Sequence, residues 1–191
     1  MGKNKNLINN FSYNFKLRGV SSILIGIYII LGTFLIQTIL IGYTTVDSPF
    51  SFLTIDMLEL FIFAVTVLAI LFSALALFFG NRRITRRLHY KVWNAHSKKS
   101  VWQFFGLFIF GYIIFFYLLN AGFYDFIIPA FLICYGLLLS LLNYRKQPPL
   151  YIFTIISILF GFIALFFPTH WFYTLISLGT THVIYGILVK K

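Results

Sequence analysis

Few side chains in this sequence belong to types that do chemistry. Asp56 and Glu59 are three residues apart, so on a helix they share one face. His170 follows Pro168-Thr169, and Asp125 begins another apolar run. Together these four could form a site for a cation or a proton; the plainer reading is an ordinary acidic rim. His182, just after Thr180-Thr181, lies in an apolar stretch. An ionisable group inside a membrane span is a candidate for proton relay or substrate contact, with Thr181 beside it. The plainer reading is a hydrogen bond to a neighbouring helix, with Gln37, Thr38 or Gln103 as the expected partner. Cys134, the lone thiol, has no base nearby and reads as a core residue. The chain has no H-E-x-x-H, G-x-S-x-G, Walker glycine loop or dinucleotide fingerprint. It lacks a recognisable nucleophile, metal set or acid–base pair. The expectation is a non-enzymatic protein without metal or cofactor.

The densest charge lies between residues 81 and 100, N-R-R-I-T-R-R-L-H-Y-K-V-W-N-A-H-S-K-K-S. Arg82, Arg83, Arg86, Arg87, Lys91, Lys98 and Lys99 have no acid among them. Ile84, Leu88 and Val92 recur every four residues, which predicts a basic amphipathic helix. It either lies on the inner membrane surface or extends the preceding span. Three uses are open. The first is a topology signal that attracts anionic lipid headgroups. The second is a docking surface for an acidic cytoplasmic protein. The third and least favoured is nucleic-acid binding, with Tyr90 and Trp93 as stacking groups but no recognised module.

These residues are set in a very apolar chain. Of 191 residues, 60% are hydrophobic and 10% charged, where an ordinary soluble domain has about 25% charged. That balance excludes disorder and argues against a soluble domain. Crossing a bilayer takes about 20 apolar residues as a helix. Six stretches qualify, near 20–42, 60–80, 101–119, 124–142, 150–167 and 171–189. Asp47-Ser48-Pro49 reads as a turn that starts the second helix, with Ser48 as its cap and Pro49 at its first position. With the N-terminus inside, all 15 Lys and Arg residues fall in inner segments, and the four acids lie towards the outside. The expected fold is all-α: a polytopic membrane protein of six spans, arranged as three helical hairpins with both termini cytoplasmic. Its parts are a basic segment at 1–19, hairpins at 20–80, 101–143 and 150–189, and the basic loop at 81–100. The first span reads as an uncleaved anchor.

An internal repeat supports the hairpins. A shift of 50 residues places Phe110-Gly111 on Phe160-Gly161 and Tyr135-Gly136 on Tyr185-Gly186. Ser22-Ile23-Leu24 and Gly26 match Ser157-Ile158-Leu159 and Gly161. Ser22/Gly26, Ser157/Gly161 and Gly136/Ser140 are small pairs four apart, which let helix backbones approach within the bundle or across a homodimer face. The stretch from Gly161 to Ile187, with Phe167-Pro168, Leu178-Gly179 and Gly186-Ile187, resembles the repeated hairpin of the HdeD family of bacterial acid-resistance membrane proteins. The middle hairpin has Leu118 where this one has Pro168. The resemblance implies six spans in a bacterial cytoplasmic membrane and supplies no catalytic residues. The leading expectation is a membrane scaffold or accessory protein, with a stress-related setting suggested by the resemblance, whose basic loop meets anionic lipid or a cytoplasmic partner. The alternative is a small oligomeric channel or transporter lined by polar residues such as Gln37, Thr38, Gln103, Asn120, Thr180, Thr181 and His182. A lipid-acting enzyme ranks last.

Overall fold

A computed structural model describes residues 17, 19–87, 95–142 and 148–189. The described residues are helical and contain no strand. The α-helices are α1 (Gly19–Thr44), α2 (Ile55–Arg87), α3 (Ala95–Asn120), α4 (Ile127–Leu142), α5 (Pro148–Phe166) and α6 (Trp171–Leu188). Short 3-10 turns, Tyr124–Phe126 and Pro168–His170, lead into α4 and α6.

The helix ends follow from local chemistry. α3 closes on Gly122 at φ 73°, a left-handed conformation that glycine adopts without steric cost. The Gly122 amide donates to Leu119 O at 3.0 Å and the Phe123 amide to Leu118 O at 2.9 Å. This paired arrangement satisfies two of the last helical carbonyls. α5 opens on Pro148-Pro149, where missing amide protons cost nothing.

The start of α2 corrects the sequence reading. Ser48 and Pro49 do not begin it. Residues 45–54 form a series of turns, in which Ser48 Oγ accepts the Phe50 amide and the Ser51 hydroxyl donates to Ser48 O. Thr54 is the cap instead, its Oγ1 accepting the Met57 amide at 3.3 Å. Asp56 then falls in the first helical turn, where the helix dipole favours an acid. Within the basic segment, the backbone of α2 stays helical through Arg87 and α3 begins at Ala95, while residues 88–94 lie outside the described residues. Of the two alternatives for Arg82–Arg87, the backbone takes the extended span.

Burial differs from that of a water-soluble protein. Ser21, Ser22, Thr33, Thr154, Ser157, Thr174 and His182 are buried beside Ile25, Leu132, Leu139, Phe153 and Leu178, whereas Leu31, Phe34, Leu60, Ile109, Phe116, Phe162 and Ile187 are exposed. Small and polar side chains between the helices and many large apolar ones outside suit a hydrocarbon surround. Gly19–Thr44, Ile55–Leu77 and Val101–Asn120 are long and apolar enough to cross a membrane. The apolar parts of α4 and α5 are shorter, and α6 is diluted by Ser177, three threonines and His182.

The chain forms two compact units. One comprises Met1–Leu17 and Leu77–Thr174; the other comprises Arg18–Ala76 and Leu175–Lys191. In the first, α4 packs against both α3 and α5. In the second, α1 meets α2 where Gly32 faces Ala69 and where the rings of Tyr28 and Phe72 lie 5.6 Å apart. α1 also meets α6.

The Gly122→Ala variant puts a side chain on the left-handed position. It should lose about 1 kcal/mol, read as lower thermal stability of the purified protein in detergent.

Candidate functional site

The two units contain the same helix–helix seam. In the first unit, the Ser157 hydroxyl of α5 donates to Leu132 O of α4 at 2.7 Å. One turn further, Gly161 lies so close to α4 that an added Cβ would meet Ile133 Cγ1 at 2.8 Å and Pro129 O at 3.3 Å. Gly136 reciprocates from α4, where a Cβ would meet Ile158 Cγ1 at 2.9 Å and Thr154 O at 3.1 Å.

The second unit repeats this atom for atom. The Ser22 hydroxyl of α1 donates to His182 O of α6 at 2.8 Å. A Cβ on Gly26 would meet Gly179 O and the side chain and amide of Val183. A Cβ on Gly186 would meet Gly19 O and the side chain and amide of Ile23. Adding 50 to each α4 position gives its α6 counterpart: Pro129 to Gly179, Leu132 to His182, Ile133 to Val183 and Gly136 to Gly186. Adding 135 to each α1 position gives its α5 counterpart: Gly19 to Thr154, Ser22 to Ser157, Ile23 to Ile158 and Gly26 to Gly161. The repeat is therefore a repeat of packing. Both seams are antiparallel, since partners rise along one helix as they fall along the other.

Such contacts suit a membrane interior. Lipid tails are as apolar as leucine, so helices gain little from hiding hydrophobic side chains. Close backbone approach and cross-helix hydrogen bonds hold them together instead.

The seams differ most in chemistry at one position. Leu132 and His182 are both fully buried, but only the second carries a polar ring. His182 Nδ1 lies 3.3 Å from Ser22 Oγ. The single Ser22 proton goes to the nearer carbonyl, so Nδ1 is the donor in the ring contact, which assigns the Nδ1–H tautomer. The ring meets Ser22 of α1, a residue that was not among the expected partners Gln37, Thr38 and Gln103. The sequence did single out Ser22, but for its size. His182 is six residues from the end of α6, beside the first turn of α1.

The other polar candidates do not gather around it. Thr181 and Thr180 donate to Ser177 O and Ile176 O of their own helix. Thr38 donates to Phe34 O and Asn120 to Phe116 O, again within one helix. His170 is exposed in its turn, with Thr169 Oγ1 at 3.0 Å from Nδ1 and the rings of Phe167 and Tyr173 nearby. Asp56 and Glu59 belong to the second unit, Asp125 and His170 to the first. Among the described residues there is no group of three His, Cys, Asp or Glu side chains placed to hold a metal ion. Arg82, Arg83, Arg86 and Arg87 lie in the last turns of α2, where the helix dipole favours cations. Lys98 and Lys99 are in the first turns of α3, with Lys98 exposed, and Lys91 lies outside the described residues.

Apolar helices of spanning length, an exposed apolar surface and small-residue seams define a helical membrane protein. No protein family, curated protein or solved structure matches this chain.

The equivalence of the seams makes a paired prediction. Gly26→Ile and Gly161→Ile should each destabilise their unit by about 1–3 kcal/mol, because the inserted side chain meets backbone that cannot yield. Gly106→Ala and Gly111→Ala, with nothing within 4 Å of the new Cβ, should be neutral or slightly stabilising. Thermal unfolding of the four purified variants in one detergent reads both effects.

Proposed function

We propose that this chain is a non-enzymatic scaffold or accessory protein of a bacterial cytoplasmic membrane. Its six helices would form three spanning hairpins with both termini cytoplasmic, in the manner of the HdeD-like proteins that its last two helices resemble. The basic stretch from Arg82 to Lys99 is its contact surface, held against anionic headgroups and available to an acidic cytoplasmic protein.

The carrying observation is how the polar groups are used. The buried hydroxyls of Ser22 and Ser157 bond across seams, and Thr38, Thr180 and Thr181 bond to carbonyls of their own helices. A polar side chain used this way supports packing more than conduction. A channel or transporter would need such groups to converge on a path. The charge distribution supports the rest of the reading: every Lys and Arg lies in a segment that the six-span arrangement puts on one side.

Binding of the purified protein, reconstituted in neutral nanodiscs, to vesicles containing phosphatidylglycerol tests the surface. Each basic residue near an anionic membrane contributes about 1 kcal/mol. Replacing Arg82, Arg83, Arg86 and Arg87 together by Ala should weaken vesicle binding by at least tenfold at physiological salt, with expression and helicity unchanged. Equal binding by the variant would remove the basic stretch as the contact surface. Ion flux through liposomes holding the protein, above that of empty liposomes, would favour the channel reading instead.

A further inference from the structure

α1 ends in a way that its counterparts do not. α3 and α5 each lead within a few residues into a short 3-10 turn, whereas α1 runs into the successive turns of residues 45–54. Those turns fold back onto the helix. Gly42 makes this close approach possible: a Cβ there would meet Phe50 Cδ2 at 2.6 Å and Ser48 Oγ at 2.7 Å. Between the helix and the returning chain lies an open-sided cavity of about 380 Å³. Thr38 and Ile41 of α1 and Thr45 just after it form one wall, with Gly42 beside them. Their spacing of three and then four residues puts them on one helical face. Ser48, Pro49 and Phe50 form the facing wall. The whole cavity belongs to the second unit.

We propose that this cavity binds a neutral acylglycerol, a lipid whose polar part is uncharged glycerol with its ester and hydroxyl groups. The inference does not depend on what the basic stretch binds.

The polar atoms of the cavity select the head. Among the described residues, no Lys, Arg, His, Asp or Glu lines it. A phosphate would find no cation there, and the exposed Asp47 next to Ser48 would repel it. The hydrogen bonding on offer is that of hydroxyls. Thr38 Oγ1 donates to Phe34 O and Thr45 Oγ1 to Ile41 O, both at 2.9 Å. Each oxygen has thereby placed its proton and keeps the capacity to accept. Ser48 is the reverse. Its Oγ accepts the Phe50 amide at 3.2 Å, and among the described residues its own proton goes to no acceptor. The two threonine oxygens suit a glycerol hydroxyl as donor, and the Ser48 hydroxyl suits an ester carbonyl as acceptor.

Depth selects the tail. α1 has 26 residues, about 39 Å at the helical rise, against a hydrocarbon core of about 30 Å. Centred in a bilayer, it overhangs the core by about 4–5 Å at each end. Thr38, six residues before the end of α1, then lies about 4–5 Å inside the hydrocarbon boundary. Gly42, with Ser48 against it, falls just outside. This is the interfacial level, where membrane lipids carry their glycerol and ester groups. On the core side of Thr38, the same face of α1 exposes Leu31, Phe34 and Leu35. An acyl chain lies along that apolar surface while its head occupies the cavity.

The test measures binding of 1-monoolein to the purified chain in detergent by native mass spectrometry. Oleic acid and dioleoylphosphatidylglycerol are the charged comparisons. The expected result is saturable binding of a single monoolein, with both charged lipids about tenfold weaker. Thr38→Val and Thr45→Val together keep the shape of the wall and remove its acceptors, which should weaken monoolein binding by about tenfold. Thr66→Val removes the same kind of bond within α2, away from the cavity, and should leave binding unchanged. Thermal unfolding shows whether the double variant is folded; if it is not, Ser48→Ala, which removes the donor, takes its place. Absence of saturable monoolein binding, equal binding by parent and cavity variant, a loss shared by Thr66→Val, or equal uptake of the charged lipids would overturn the site.

Discussion

Close approach of helix backbones is the constraint on which the rest of this molecule depends. In water, a helix pair is held by hiding apolar side chains. In lipid that gain disappears, because the surroundings are as apolar as the interface. What remains is contact area at short range, and short range requires removing side chains. Gly26, Gly136, Gly161 and Gly186 do this at four places where a single Cβ would meet backbone. Ser22 and Ser157 occupy neighbouring places where a small side chain fits and its hydroxyl reaches a carbonyl across the gap. Many leucines and phenylalanines lie on the outer surface, while Leu132, Leu139, Phe153 and Leu178 fill the interior beside the small residues.

The same constraint explains why the polar residues form no common centre. A hydroxyl in hydrocarbon must find an acceptor, and the nearest is often the carbonyl one turn back on its own helix. Thr33, Thr66, Thr180 and Thr181 all make that bond. It satisfies the hydroxyl without drawing in a neighbour. Only where backbones nearly touch does the hydroxyl cross to another helix, and there the bond adds to the seam.

Much of this was legible in the sequence. The run from Gly19 to Thr44 is apolar without interruption, and nothing but a helix can bury its own backbone in lipid. The shift of 50 residues that aligns Tyr135-Gly136 with Tyr185-Gly186 marked the seam residues before their partners were known. Their pairing was not legible, because identity between two segments does not say which third segment each one touches. That is why His182 was matched with Gln37 or Gln103, residues chosen by polarity, when Ser22 had already been noted among the small residues. The start of α2 was misread because Pro49 is a strong helix-start signal. Ser48 and Ser51 instead bond to nearby backbone and prolong the turn, leaving Thr54 to cap the helix. The segment from Arg82 to Arg87 was recognised as helical, but periodicity alone could not choose between a separate surface helix and an extension of α2.

The two seams also differ in time. Ser157 and Leu132 are 25 residues apart, so their seam can close soon after α5 has been made. Ser22 and His182 are 160 apart. At about 5–20 residues per second, α1 waits roughly 10–30 s after its own synthesis for α6 to appear. During that wait it presents Gly19, Ser22 and Gly26, the pattern that α5 uses to hold α4. α1 can meet α2 early, but its seam with α6 closes only when nearly the whole described chain has been made, whereas α4 and α5 lie close together in the sequence and can close theirs at once.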